Sequence, residues 1–318
     1  MDAIEIILIV AAAFAVTVLL LFIAIAYTVF KVAFRADTDF SNSAGRYENS
    51  KKKPYMERVF AGMEHANEMD CKRVSIKSHD GLTLSARYYD RGADKLALLF
   101  HGYRSKAEYD FGCMLDFLFD MGYSVLLVDQ RAHGMSEGKF ITFGINESKD
   151  CQRWCDYAAN ELGARRIVLC GISMGAATVM TAAASNLPKE VCAIISDCGF
   201  TSLSEIILRI LRSSGKIPFS KFILRLTNAL FCKPHGFDLF SPAAVDAMRK
   251  NTIPTLFIHG DEDGFVPCEM GRKNFDACAG EKELLIIPKC DHAMSFLVDE
   301  QTVTAHVRAF LEKYGKVR

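Results

Sequence analysis

A serine flanked by glycines is the first feature of this chain whose residues suit covalent chemistry. The segment Gly171–Gly175 has Ser173 at its centre. It follows an apolar run of strand type, Ile167–Cys170, and precedes a run of small residues, Ala176–Ala184, that predicts a helix. A strand, a tight turn and a helix are typical of a nucleophile elbow, which exposes the serine hydroxyl at a helix N-terminus. The motif alone is weak evidence, since any glycine-rich turn can contain a serine.

A catalytic serine needs a base, and the base needs an acid that orients it. Two later loops contain both residue types. The apolar run Thr255–Ile258 ends in the acidic loop Asp261–Asp263, and the run Leu284–Ile287 is followed by His292. Both loops come at the carboxyl ends of predicted strands, where parallel sheets place their sites. We therefore predict that His292 is the base.

The acid is less certain from the residues alone. Asp263 is favoured over Asp261 because it lies further beyond the strand and has more freedom to reach His292. Spacing does not decide between them, and Asp197 at the end of the preceding strand is a minor alternative. His306 is the other downstream histidine, but it falls inside a predicted amphipathic helix.

Acyl transfer also needs two hydrogen-bond donors for the oxyanion. The N–H of Met174, directly after the nucleophile, is predicted to be one of them. The loop after the apolar run Leu96–Phe100 should supply the other, and it begins His101-Gly102. Because glycine lets the backbone approach the substrate carbonyl, the N–H of Tyr103 is the predicted second donor.

Apolar runs and helical stretches alternate through most of the chain. Six runs of strand type lack polar alternation, which is typical of buried parallel strands. They are Leu96–Phe100, Ser124–Val128, Ile167–Cys170, Val191–Ile195, Thr255–Ile258 and Leu284–Ile287. The predicted helices between and after them are about 107–121, 147–162, 174–185, 269–279 and 300–314. We expect an α/β fold with a mostly parallel sheet covered by helices on both faces, opened by a hairpin that turns at Asp80-Gly81.

One stretch interrupts this alternation. Residues 203–250 contain no strand pattern, and apolar side chains recur at helical spacing within 204–212 and 219–231. We predict a helical cap inserted between two strands. Its basic residues, such as Lys221 and Arg225, would suit a nearby anionic membrane, although a solvated face explains them equally well.

From about residue 72 to its end, the chain resembles the α/β-hydrolases of the serine aminopeptidase and monoacylglycerol lipase-like group. Five motifs carry the resemblance: His101-Gly102, Asp129–Ser136, Gly171–Gly175, Gly260–Pro267 and Asp291-His292. The resemblance implies that Asp263 is the acid. It also implies that Asp129, Arg131 and His133 form a hydrogen-bonded structural turn beside the site, and it marks Ala132 as a departure from the usual glycine.

Composition excludes some other functions. Lys plus Arg and Asp plus Glu both number 38, so no basic excess indicates a nucleic-acid partner. The eleven cysteines include no Cys-x-x-Cys pair and no zinc-like spacing with histidine. We expect no metal and no organic cofactor, and buried free thiols favour a reducing compartment.

The N-terminal segment predicts a membrane anchor. Residues 6–30 carry no charge, and about 20 apolar residues span a bilayer. We predict a transmembrane helix over 4–30, a juxtamembrane linker and lead-in helix over 31–70, and the hydrolase domain over 71–318. A cleaved signal peptide is the competing interpretation, but Asp2 and Glu5 replace its positive start. The basic residues after the helix predict a single-pass protein with a cytoplasmic domain.

The combined expectation is a membrane-anchored serine hydrolase that cleaves carboxylic esters or thioesters. It would be carboxylesterase-like or lipase-like, with a small-molecule acyl substrate that could derive from lipid. A peptidase acting on short peptides and an acyltransferase remain open, because they would use the same residues. A non-enzymatic scaffold is disfavoured, since no triad residue is missing. Nothing in the sequence indicates the oligomeric state.

Overall fold

The computed structural model describes residues 2–36, 51–213 and 217–315. Most of the predicted linker lies outside the described residues. The chain divides into two compact units, one comprising Met1–Arg35 and Ser204–Ser241, the other Ala36–Leu203 and Pro242–Arg318. The first unit therefore groups the N-terminal helix with most of the predicted cap, and the second contains the sheet.

The larger unit is built on one eight-stranded sheet with strand order β1-β2-β4-β3-β5-β6-β7-β8. Strand β2 pairs antiparallel with β1 and β4, and all remaining pairs are parallel. The mostly parallel sheet predicted from the apolar runs is confirmed. The strands are β1 Lys72–Lys77, β2 Thr83–Tyr89, β3 Lys95–Phe100, β4 Ser124–Asp129, β5 Arg166–Ile172, β6 Val191–Asp197, β7 Thr255–Gly260 and β8 Lys282–Ile287.

Helices cover both faces of this sheet. Two apolar clusters result, because alternate side chains of each strand point to opposite faces. Leu98 and Leu126 belong to one cluster, and their neighbours Leu99 and Leu127 belong to the other. The described helices of the larger unit are α2 Met56–Glu68, α3 Ala107–Phe111, α4 Leu115–Asp120, α5 Glu147–Asn160, α6 Met174–Ala182, α9 Ala244–Met248, α10 Cys268–Ala277, α11 Ser295–Val298 and α12 Glu300–Tyr314.

The single helix predicted over 107–121 is wrong in one respect. The structure has two short helices, α3 and α4, separated by a 3₁₀ turn at Gly112–Met114. Gly112 lies against Gly62 of α2, where any side chain would overlap the Gly62 backbone. This close approach depends on a tertiary neighbour, so local periodicity did not predict the break.

The smaller unit contains three α-helices among its described residues, followed by a π-helical turn at Asn228–Cys232 and a 3₁₀ turn at Lys233–His235. The N-terminal helix α1 runs over Ala3–Phe34 and is long and apolar enough to cross a membrane. It begins at Asp2, whose side chain accepts the Glu5 N–H in a capping box. The cap stretch contributes α7 Leu203–Ser213, which begins at the unit boundary, and α8 Ser220–Thr227, and no strand occurs among its described residues.

Candidate active site

The nucleophile candidate lies on a sharp turn between β5 and α6. Ser173 adopts φ 56° and ψ −110°, a left-handed conformation that is strained for a residue with a side chain. Neither neighbouring glycine has room for a side chain, because a Cβ on Gly171 would overlap Gly175 and one on Gly175 would overlap the carbonyl of Phe100. The strand and the helix can approach this closely only with glycine at both positions. The predicted elbow is present.

His292 reaches the serine from the loop after β8. Its Nε2 lies 2.8 Å from Ser173 Oγ, and its Nδ1 lies 2.7 Å from Asp263 Oδ2. Since an ionised carboxylate only accepts hydrogen bonds, Nδ1 carries the proton and Nε2 is left to accept the serine O–H. About a fifth of the His292 side chain is exposed to solvent, so the pair is open to a substrate.

The acid is anchored from two sides. Asp263 Oδ1 accepts the backbone N–H groups of Phe265 and Val266, while Oδ2 faces His292 and, at 3.4 Å, Nε2 of the buried His259. Burial works against a charged carboxyl here. The hydrogen bonds from the two imidazoles outweigh it and hold the pKa of Asp263 well below its usual range. The carboxylate is therefore ionised at neutral pH.

The alternative acids lie elsewhere. Asp261 is exposed, and its neighbour Glu262 forms an ion pair with Lys51 at 2.7 Å. Asp197 at the end of β6 accepts the Ser295 hydroxyl at 2.8 Å, and removal from water raises its pKa to about 6. Asp263 is thus the carboxylate that the structure brings to His292. Of the other downstream histidines, His306 is exposed on α12.

The predicted oxyanion loop follows β3 and lies beside the serine. A Cβ placed on Gly102 would be 3.6 Å from Cβ of Ser173. Asp110 of α3 holds this loop, since its Oδ2 accepts the Gly102 N–H and its Oδ1 accepts the Ser105 hydroxyl, both at 2.7 Å. The backbone N–H of Arg104 donates to Nε2 of His133. These contacts fix the path of the loop past the nucleophile.

The two predicted donors lie at the start of α6 and in the loop after β3. Met174 is the first residue of α6, and the first N–H groups of a helix have no partner within it. Tyr103 stacks its ring on Phe143, with ring centroids 4.5 Å apart. Phe143 in turn contacts Phe200, and Phe265 lies 5.1 Å from the His292 ring. The site therefore has aromatic side chains beside its polar centre, and the donor roles of Met174 and Tyr103 remain predictions.

Known proteins resemble parts of this chain in sequence. Residues 92–232 match the family model described as serine aminopeptidase, S33. The protein YqkD of Bacillus subtilis is 28% identical over 200 residues, which are 61% of this chain and 63% of YqkD. The lysophosphatidylserine lipase ABHD12 of Danio rerio is 26% identical over 184 residues, 52% of this chain and 42% of the lipase. The chain thus spans less than two thirds of these relatives.

Solved structures share the architecture. An esterase of Pyrococcus furiosus, Pf2001, aligns with a TM-score of 0.62 and 24% identity, covering 77% of this chain and 93% of the esterase. This chain has the α/β-hydrolase fold. The fold predicted from its motifs is thereby confirmed.

A second turn near the site lies at the end of β4. Arg131 is almost fully buried, and its guanidinium binds Asp150 at 2.6 Å and Asp80 at 3.0 Å. The ring of His133 is also buried, with Nδ1 donating to the Arg131 carbonyl. Burial lowers the pKa of His133 to about 3, so this imidazole is neutral. The structure agrees with a structural role for these residues, as the resemblance implied.

Among the described residues, two clusters each contain three side chains that could bind a metal ion. One combines His292 and Asp263 with Cys198, and the other combines His79, Asp80 and Asp150. Burial raises the pKa of the Cys198 thiol well above its usual value, which keeps it in the protonated form that binds metals poorly. In the second group both carboxylates already bind Arg131. The expectation of no metal stays a prediction.

Two residues near the site were not predicted from the sequence. His259 lies inside β7 beside Gly260, and only the fold shows that its ring faces Asp263. Asp110 lies eight residues after Gly102, on a short helix that carries no motif. The position of His259 next to the glycine that ends β7 could have marked it as a residue near the site, whereas no local sequence feature identifies Asp110.

Proposed function

We propose that this α/β-hydrolase is a membrane-anchored serine hydrolase that cleaves carboxylic esters through an acyl-enzyme. The observation that carries the proposal is the continuous hydrogen-bonded chain from Ser173 Oγ through His292 to Asp263, with distances of 2.8 Å and 2.7 Å. No other described histidine bridges a serine hydroxyl and a carboxylate in this way.

The geometry supports a two-step reaction. Ser173 Oγ attacks the substrate carbonyl while His292 Nε2 takes the hydroxyl proton, and Asp263 stabilises the imidazolium that forms. The N–H groups of Met174 and Tyr103 stabilise the negative charge on the tetrahedral oxyanion. His292 then returns the proton to the leaving alcohol. Water, activated by the same imidazole, hydrolyses the acyl-enzyme and regenerates the serine.

The choice of ester substrates rests on three observations. The side chains beside the triad include the aromatic rings of Tyr103, Phe143 and Phe265, which suit an apolar acyl group better than a charged peptide terminus. One relative is a lysophosphatidylserine lipase, and structural neighbours include esterases. The apolar helix α1 would keep the enzyme at a membrane.

The test is hydrolysis of p-nitrophenyl esters from acetate to palmitate by the full chain in detergent. Ser173→Ala should abolish turnover and labelling by a fluorophosphonate. Ser185→Ala is the matched control, because its hydroxyl lies at the other end of α6 and binds only the carbonyl of Ala182 among the described residues. Turnover that survives in Ser173→Ala would overturn the proposed nucleophile.

The same assay separates the proposal from its competitors. The family model is described as a serine aminopeptidase, so aminoacyl p-nitroanilides are included as substrates. Fluorophosphonate labelling of Ser173 with hydrolysis of anilides but not of esters would establish the peptidase. Faster ester consumption on adding an acceptor alcohol, with a new ester as product, would establish an acyltransferase.

The membrane side is proposed from charge. Lys31 and Arg35 follow the apolar part of α1, and basic flanks favour the cytoplasmic side. We expect the hydrolase domain to resist protease added to intact cells and to be cleaved once the cells are opened. Cleavage in intact cells would reverse the assignment.

A further inference from the structure

The N-terminal helix is unevenly covered along its length. Residues 3–17 of α1 are all exposed, whereas beyond them one side of the helix becomes covered, with Ala26, Phe30 and Phe34 buried. The buried positions recur every four residues and form one stripe. The first part of α1 is therefore free on all sides, and the second part has a protein neighbour.

The free part of α1 is too short to cross a bilayer. Residues 3–17 span about 22 Å at 1.5 Å per residue, and the hydrocarbon core is about 30 Å thick. Since Glu5 is charged, the apolar span begins at Ile6, and about 20 residues from there reach Ile25. Any tilt of the helix would require a still longer stretch. The span must include residues of α1 that already have a protein neighbour.

That neighbour is the cap helix α8. The ring of Phe22 makes edge contacts with Phe219 at 5.9 Å and with Phe222 at 5.3 Å. Four residues further along α1, the carbonyl of Ala26 accepts the hydroxyl of Thr227 at 3.2 Å. The two helices run in the same direction, so the N-terminal end of α8 lies against the part of α1 that falls within the span.

The outer surface of this end of α8 is apolar and basic. Phe219 is 71% exposed and Phe222 is 49% exposed, which is unusual for phenylalanine in water. Lys221 and Arg225 are exposed on the same helix. Aromatic rings with neighbouring cations are typical of surfaces that enter the interface of an anionic membrane.

We propose that the N-terminal end of α8 lies in the lipid bilayer, with Phe219 and Phe222 at the edge of the hydrocarbon and Lys221 and Arg225 at anionic headgroups. The cap is then a membrane-embedded element rather than a solvent-facing lid. This inference rests on the proposed anchoring through α1, and it is independent of the chemistry at Ser173.

The test uses tryptophan fluorescence of the full chain in vesicles of phosphatidylcholine and phosphatidylglycerol with brominated acyl chains, which quench nearby tryptophan. Trp154 is the chain's only tryptophan and is fully buried, so it gives the same background in every variant. Tryptophan is introduced by Phe222→Trp, by Phe14→Trp in the exposed part of α1, and by Phe60→Trp on the exposed side of α2.

Bromine near the headgroups is expected to quench the added emission of Phe222→Trp strongly, and bromine deep in the chains should quench it less. Phe14→Trp should show the reverse order, and Phe60→Trp should lose no added emission. Replacing Lys221 and Arg225 with glutamine, or omitting phosphatidylglycerol, should weaken the shallow quenching of Phe222→Trp. Circular dichroism of each variant establishes that it is folded.

Three results would overturn the proposal. If Phe222→Trp is no more quenched than Phe60→Trp while Phe14→Trp is quenched, the anchor is real and the cap is not in the bilayer. If Phe14→Trp is not quenched, the anchoring itself is wrong. If Phe222→Trp is shielded from both bromine and aqueous iodide, a protein partner such as a second copy covers it. None of these results depends on whether the enzyme hydrolyses esters.

Discussion

Two turns at the same edge of the sheet each lie beside a histidine, and the two histidines have different surroundings. The elbow after β5 presents Ser173 to His292 and Asp263, and the turn after β4 holds Arg131 and His133. Each turn contains a residue other than glycine with positive φ, Ser173 at 56° in the elbow and Ala132 at 63° in the β4 turn. Each also has a histidine close to a carboxylate or a carbonyl.

What differs is where the imidazole nitrogens point. His292 connects a carboxylate to a hydroxyl and keeps part of its ring in solvent. His133 is 3% exposed, and its nitrogens bind the carbonyl of Arg131 and the N–H of Arg104. The proposed difference in reactivity therefore rests on hydrogen-bond partners and solvent access, and residue type alone does not distinguish a proposed base from a structural histidine.

The largest expected effect separates the two histidines. His292→Ala should lower kcat on esters by about a million-fold, because loss of the base from such a triad costs about as much as loss of the whole triad. His133→Ala should lower the free energy of unfolding by about 1–3 kcal/mol, since two backbone groups lose their partners. Ester kinetics and urea unfolding of both variants in detergent measure this. Equal losses of kcat would erase the distinction between the turns.

The next largest effect should distinguish the carboxylates of Asp263 and Asp150, whose substitution should affect activity and stability differently. Asp263→Asn should reduce kcat by about 10⁴-fold with little change in unfolding, because the amide no longer favours the useful tautomer of His292. Asp150→Asn should instead destabilise the fold by about 3–5 kcal/mol, since it breaks the buried pair with Arg131. The same two measurements apply. A stable Asp150→Asn variant, or an active Asp263→Asn variant, would contradict the assignment of roles.

The pH dependence of stability should come from the structural turn before it comes from the triad. Burial lowers the pKa of His133 to about 3 in the folded protein, whereas its value in the unfolded chain is about 6.5. Between these two pH values the unfolded chain therefore binds more protons than the folded protein. His133 by itself should therefore lower the free energy of unfolding by about 1.4 kcal/mol per pH unit below about 6.5. Burial raises the pKa values of Asp150 and Asp197 to about 6, and these two carboxyls oppose that fall between about pH 6 and about pH 4. The lowered pKa of Asp263 adds a further loss only below about pH 4.

Urea unfolding between about pH 7 and about pH 4.5 measures this slope. His133→Gln, whose amide oxygen can still accept the Arg104 N–H, should remove this contribution. The free energy of unfolding of that variant should therefore fall less on acidification than that of the unsubstituted chain. An unchanged slope in that variant would assign the proton uptake to another group.

The smallest expected effect concerns the strained alanine. Ala132→Gly should stabilise the fold by about 0.5–1 kcal/mol, because a left-handed conformation costs a residue with a Cβ about 1–2 kcal/mol and glycine much less. Activity should not change, since the Ala132 backbone N–H donates to the Glu137 carbonyl within the structural turn. The shift in urea midpoint is the measurement. A destabilised variant would mean that packing of the methyl group outweighs the strain.

Local patterns predicted much of the fold and the centre of the site. Buried strands are uninterrupted apolar runs in the sequence, so the mostly parallel pairing followed from their alternation with helices, whereas the strand order in the sheet was not predicted. The elbow was predictable because Gly171 and Gly175 are needed for close approach within five residues. The break between α3 and α4 was not, since it depends on Gly62 in another helix.

The sequence by itself determined the sheet, the elbow and the candidates for base and acid, because each rests on residues that are neighbours in the chain. Only the tertiary structure decided that Asp263 rather than Asp261 meets His292, that His259 faces the same carboxylate, and that Asp110 holds the predicted oxyanion loop. Ser173 and His292 are 119 positions apart, and their meeting depends on the paths of several loops. No local periodicity encodes such a path, because it is set by the packing of the whole sheet.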